Sequence, residues 1–405
     1  MPKAKNQTVP AIEPSGRFGS ACPTPEQKIA WLKIGIAGAL LASLGLSWRL
    51  WTSARTFPLI PVNEALPAIP FPLDYISFFA MIALLVAILA MPRPQKLVLA
   101  FLVVAVLLAL FDQNRWQPWF YQCCFMLLAL ALYGWKKPLA ALNALRLIVV
   151  CTYLWSGLQK LNANFVRETW PDMSGPAFSH LPHFVQNIPP LFWLIIPIVE
   201  IAVALGLLTP ALRNFAVALA ILTHVAILLT LLASRENTVV WPWNLAMILF
   251  VLVLFWQEKE TTARQLFDRS AFQMAFLLFF GLLPALNFAG LWDSYLSAAL
   301  YSGNTDQQAI YVSPAVIDRL PPTARPHVWQ ASQPFFLDVN RWSYGELNVP
   351  IYPEPRIYRR VTERICSYAG NASGDVRLRI IDRPNLFTGV RRSEYYDCDH
   401  LDMIP

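Results

Sequence analysis

Charge is scarce in this chain. Only 14% of its 405 residues are charged, whereas a soluble domain carries about a quarter. That scarcity argues against an ordinary soluble fold. Apolar–polar alternation over about ten residues is also absent, which excludes a transmembrane β-barrel. No nucleic-acid-binding motif is present. The formal net charge of +7 is therefore assigned to membrane topology and anionic lipid. No His, Cys, Asp and Glu cluster has metal-ligand spacing, so no metal is expected. His180 and His183 stand close in HLPH, but Pro182 disfavours the helix that would bring both rings to one face.

Long apolar runs fill the space left by charge. Hydrophobic residues make up 56% of the chain, and the mean hydropathy is +0.44. Runs near 20 residues recur between residues 30 and 292. A helix rises about 1.5 Å per residue, so each such run crosses a hydrocarbon core of about 30 Å. The expectation is an all-α polytopic membrane protein of about nine transmembrane helices. Their ranges read as 30–50, 73–91, 97–112, 118–135, 144–161, 189–208, 214–233, 238–256 and 273–292. MPRPQK (91–96) marks a turn between the second and third. Residues 162–188 are too long and mixed for a tight turn. They predict a Pro-rich loop lying in the interface or re-entering the membrane.

Three regions follow: a cytoplasmic tail at 1–28, a helical membrane domain at 29–292 and a small extracytoplasmic domain at 293–405. The tail is a polar lead of about 28 residues, longer than a signal peptide's charged n-region. Lysine and arginine set the orientation. Lys28, Lys33, Arg93, Lys96, Lys136, Lys137, Arg146, Arg213 and Lys259 fall on one side, whereas Arg55, Arg115, Arg167 and Arg235 fall on the other. The N-terminus is thus expected in the cytoplasm and the C-terminus in the periplasm, with the chain in the inner membrane. DVRLRIID (375–382) is a strand candidate, and residues 348–366 read as an extended segment leading into an amphipathic helix. Cys366 and Cys398 lie in the external region, where an oxidising compartment favours a disulfide. Two free thiols are the alternative.

A charge inside a bilayer costs about 2.5–3.5 kcal/mol on insertion scales, so ionisable residues in the apolar runs are candidate site residues. Lys160 ends YLWSGLQKLNANF (153–165). It either snorkels to the interface or belongs to a site, sharing a helical face with Tyr153, Gly157 and Ser156. Glu200 sits mid-run in FWLIIPIVEIAVALGLL and is either neutral or paired with a cation. His224, in ALAILTHVAILL, is a packing residue or a site residue. Trp241, Trp243 and Asn244 in VVWPWNLA are an interfacial belt or a wall around a flat ligand. If the helices bearing Lys160, Glu200, His224 and Asn244 are neighbours, these groups line one cavity.

YLWSGLQKLNANF, IVEIAVALGLLTPALRNFA and THVAILL together resemble the HTTM (horizontally transferred transmembrane) family, bacterial relatives of vitamin K-dependent γ-glutamyl carboxylase. The resemblance covers residues 145 to about 256. DoxX-like quinone-associated membrane proteins share a similar character, but the motif order favours HTTM. The resemblance implies nine helices and an external C-terminus. It implies Lys160 as the catalytic base toward a vitamin K-like hydroquinone, with His224 on a histidine that follows in the same order. Gln159 stands where the carboxylase has a first lysine, and Asn162 and Asn164 stand where it has aspartates. These departures bear on the glutamyl-peptide substrate.

Two functions compete. One is an enzyme of carboxylase-like lyase or oxidoreductase type. In it a lipid-soluble quinol stacks on Trp155 or Trp241, Lys160 takes its proton, and His224 or Asn244 holds the oxyanion, with Glu200 beside them. The other is a non-catalytic membrane subunit or an export or assembly factor that binds a partner protein through the same polar groups. A transporter ranks last, because no internal repeat is found.

Overall fold

The computed structural model describes residues 23–179, 181–234, 237–259, 261–267, 269–330, 334–369 and 374–404. Most of the expected tail, together with His180 and Arg235, lies outside the described residues.

The apolar runs are helices: α1 (Pro25–Leu46), α2 (Leu73–Ala90), α3 (Gln95–Leu110), α4 (Pro118–Tyr133), α5 (Pro138–Lys160), α6 (Pro190–Leu208), α7 (Arg213–Ser234), α8 (Val240–Phe255) and α9 (Ala271–Ala289). A helix satisfies its own backbone groups, which hydrocarbon demands. Six of them, α1, α2, α5, α6, α7 and α9, are long and apolar enough to cross a membrane. The helix starts are marked in the sequence. Proline opens α1, α4, α5 and α6, where its missing N–H costs nothing. Thr24 Oγ1 accepts from Gln27 N, and Gln27 Oε1 accepts from Thr24 N. This reciprocal cap starts α1 at Pro25, inside the stretch expected to be tail.

Helix α5 is central and packs on α1, α4, α6 and α9. Helices α6, α7 and α8 follow one another side by side, and α8 returns to α1. Large apolar side chains point outward, among them Phe215, Leu222 and Leu229 on α7. Such a surface suits lipid, not water. Buried ion pairs pin both ends. At one end Lys28 and Arg146 both reach Glu258, at 2.9 and 2.8 Å. At the other, Arg55 pairs with Asp112 at 2.5 Å, while Arg115 donates to the Leu50 and Leu108 carbonyls. Burial pulls the Arg115 guanidinium down to about 10, and the nearby Asp112 opposes that.

Residues 162–188 contain more helix than a loop reading implies. A π-helical turn, Phe165–Thr169, runs into a helix at Trp170–Phe178. After α9 comes a small domain with five antiparallel strands: β1 (Gln307–Val312), β2 (Val328–Trp329), β3 (Phe336–Leu337), β4 (Val376–Ile381) and β5 (Ser393–Asp397). Their order is β2-β3-β1-β4-β5, with Ile310 facing Leu378 in the central pair. Two helices, α10 (Val339–Leu347) and α11 (Pro355–Ala369), complete it. Helix α11 lays Ile357, Val361 and Ile365 against the sheet. A disulfide joins Cys366 to Cys398.

The domain is fastened to the bundle. Asn348 donates to the Leu46 carbonyl and to Thr238 Oγ1. Tyr352 N donates to Asn114 Oδ1 at 3.0 Å. Replacing Cys366 and Cys398 by serine is expected to destabilise the C-terminal domain by roughly 3–4 kcal/mol, the chain-entropy value for closing a loop of this size. Limited proteolysis of the full chain checks this. Cleavage within 335–404 should accelerate while the helical bundle stays intact.

Candidate functional site

Glycine sets the geometry. A Cβ on Gly157 would lie 2.7 Å from Ile201 Cγ1 and 2.8 Å from the Pro197 carbonyl oxygen. Only glycine lets α6 come this close to α5. One helical turn further on, Lys160 then meets Glu200. Lys160 Nζ lies 3.0 Å from Glu200 Oε2 and 3.2 Å from Oε1. It also donates to Ser156 through the hydroxyl and the carbonyl. Lys160 is 8% exposed and Glu200 5%. The lysine therefore does not snorkel into water. The two charges neutralise each other where neither could be solvated.

A second close approach sits between α6 and α7, where a Cβ on Gly206 would lie 2.8 Å from Ala216 Cβ. It brings α7 into the same group of helices. Here His224 joins Tyr153 of α5 to Asn244 of α8. Asn244 Nδ2 donates to the Val240 carbonyl at 2.8 Å, which turns Oδ1 toward the imidazole. His224 Nδ1 lies 2.8 Å from that oxygen and so carries the proton. In the neutral ring Nε2 is then the acceptor, and Tyr153 Oη donates to it at 2.7 Å. All three side chains are buried.

These groups share one cavity of about 110 Å³. Lys160, Glu200, Tyr153, His224 and Asn244 all line it, with Trp243 and Met247 adding breadth. Trp243 donates to Gln122 Oε1 at 2.7 Å, and Gln122 also borders the cavity. Trp170 and Met173, from the helix after α5, stand at its side. Ala298, Leu300 and Tyr301 close it toward the C-terminal domain.

The polar residues flanking Lys160 hold that cover in place. Gln159 Oε1 accepts from Asn304 at 2.7 Å, and Asn162 Nδ2 donates to the Ser302 carbonyl at 2.8 Å. Gly303, at φ +71°, lies between them, and a Cβ there would strike Thr169 Oγ1 at 2.6 Å. The polar residues at the end of α5 thus dock residues 302–304.

Two of the expected ligand-binding tryptophans lie elsewhere. Trp155 donates to the Gly281 carbonyl of α9 at 3.2 Å, and neither it nor Trp241 lines the cavity. Their neighbour Trp243 does. Gln122, a polar residue inside an apolar helix, carried a sequence signal comparable to that of Asn244. Tyr301 carried none, because it reaches the cavity from 141 positions beyond Lys160. Among the described residues no group of three or more His, Cys, Asp and Glu could hold a metal ion.

Glu200→Gln strands the Lys160 ammonium in an apolar interior and is expected to cost roughly 3–5 kcal/mol. Replacing both residues by methionine removes the charges together and is expected to recover most of that loss. Thermal unfolding in one detergent compares the two variants. Equal losses would show that the pair does not act as a unit.

Residues 141–232 match the family model described as DoxX. The match runs from α5 to α7 and includes Lys160, Glu200 and His224 but not Asn244. No curated protein and no solved structure matches the chain. The match overturns the resemblance to the HTTM family. The shared Gly, Lys, Glu and His pattern has a physical basis: Gly157 permits the close approach of two helices, and a buried lysine needs a carboxylate facing it. The DoxX match and the six long apolar helices make this an integral, multi-pass membrane protein.

Proposed function

We propose that the cavity binds a flat, lipid-soluble ring of the quinol class and exchanges a proton with one of its hydroxyls. One observation carries the reading: polar groups from four separate helices converge on a single, mostly apolar cavity. Small-ligand sites have that form. Trp243 and Trp170 supply flat faces for the ring, and Trp155 and Trp241 serve packing.

The ion pair between Lys160 and Glu200 supports a division of roles. Lys160 acts as a cation that holds a ligand oxygen as it becomes anionic. The hydroxyl proton passes to Tyr153 Oη as Tyr153 gives its own proton to His224 Nε2. Asn244 Oδ1 keeps its hydrogen bond to Nδ1–H of the resulting imidazolium.

We read all nine apolar helices as spans. Helices α3, α4 and α8 have 16 residues, or about 24 Å, and the flanking turns complete the crossing. Lys28, Arg146 and Arg213 gather at the end of α5 away from Lys160, while the C-terminal domain sits at the Lys160 end. The positive-inside rule then places the N-terminus in the cytoplasm and residues 293–405 outside, with the chain in an inner membrane. The membrane domain is residues 29–292.

Titrating decylubiquinol into the full chain in nanodiscs, followed by tryptophan fluorescence, tests the site. Saturable quenching is expected, and Tyr153→Phe or His224→Leu should each weaken it about tenfold. Tyr153→Phe removes a single oxygen and preserves the packing. Binding that is absent, or unchanged in both variants, would sink the reading.

A further inference from the structure

A second concavity, about 800 Å³, opens on the outer wall of the bundle. Its lower part is apolar and is lined by Leu99, Val103 and Val106 of α3, Leu128 of α4 and Phe279 of α9. Val103 is 59% exposed, on a helix face that meets lipid. Its upper end is polar and is lined by Gln113, Asp293, Tyr352 and Arg356. Asp293 Oδ2 collects three donors there: Gln113 at 3.1 Å, Tyr352 at 2.9 Å and Arg356 Nη2 at 2.5 Å. Arg356 Nε donates to Gln113 Oε1 at 3.3 Å. Its Nη1 makes an ion pair with Glu354 Oε2 at 3.9 Å, too long for a hydrogen bond, so that N–H can still donate one.

Dimensions and charge identify the occupant. Leu99 to Leu107 spans about 12 Å along α3, close to the roughly 15 Å of one hydrocarbon leaflet. The polar end therefore stands at headgroup depth, beside the C-terminal domain. Arg359 and Arg360 share the Arg356 face of α11 and pair with Glu64, two residues from Val62 at the rim. An arginine N–H at an interface can donate a charge-assisted hydrogen bond to a phosphate oxygen.

We infer that this groove holds a single phospholipid of the leaflet on the C-terminal-domain side. Its phosphate sits on Arg356 Nη1, and one acyl chain lies along Val103 and Val106. Tyr121 borders both this groove and the inner cavity, so the bound chain packs against the cavity wall. The site does not depend on the quinol reading.

The test uses the full chain in nanodiscs doped with a phosphatidylglycerol that carries a diazirine on its acyl chain. Cross-links are mapped by peptide mass spectrometry. Labelling at 99–107 should exceed that around Leu222 and Leu229, which face lipid on α7 without a groove, by about fivefold. Arg356→Glu should reduce it to the α7 level. Val106→Trp, which fills the groove and leaves the Asp293 network untouched, should do the same. Equal labelling of both faces, or labelling that neither variant changes, would overturn the inference. So would equal labelling by a diazirine diacylglycerol that lacks the phosphate.

Discussion

A lysine and a glutamate placed in hydrocarbon must face each other, and the half of the bundle next to the C-terminal domain is arranged around that requirement. The Lys160–Glu200 contact needs α5 and α6 nearly backbone to backbone, which Gly157 permits. Helix α6 then carries α7 against it at Gly206, and α7 brings His224 between Tyr153 and Asn244. The order runs from a buried charge, to a glycine, to a helix spacing, to a hydrogen-bond relay. No single helix contains the site.

The same residues explain why the cavity has a cover. Buried in apolar surroundings, Gln159 and Asn162 need partners, and they find them in residues 302–304. That docking sets Leu300 and Tyr301 over the cavity. The C-terminal domain is therefore part of the site and also a cap on the bundle. Its fastening at Asn348, Tyr352 and Asp293 holds the cover at a fixed height. A water-excluding cover raises the effect of every charge and dipole beneath it.

Much of this was legible in sequence, for physical reasons. Apolar runs over 30–292 had to become helices, because lipid leaves the backbone no other partners. Lys160, Glu200, His224 and Asn244 stood out because polar groups in apolar runs are costly, and one cavity collects all four. The strand at 376–381 and the helix at 355–369 also lie where alternation and amphipathicity indicated. What escaped was non-local. Tyr301 has an unremarkable sequence context and acquires a place only through tertiary docking. Trp155 and Trp241 were chosen over Trp243 because spacing cannot say which face of an all-apolar helix turns inward. The family was misread because a short motif reflecting helix packing was taken as a mark of descent.

The proposed ligand is a lipid-soluble ring in the cavity beneath Tyr301, bonded to the Tyr153–His224 relay and to Lys160. A cryo-EM map of the full chain in nanodiscs with excess decylubiquinol addresses it most directly. Planar density is expected beside Trp243, with an oxygen within about 3.2 Å of Lys160 Nζ or Tyr153 Oη. A cavity holding only water-sized peaks at saturating ligand, or ligand density confined to the outer wall, would contradict it.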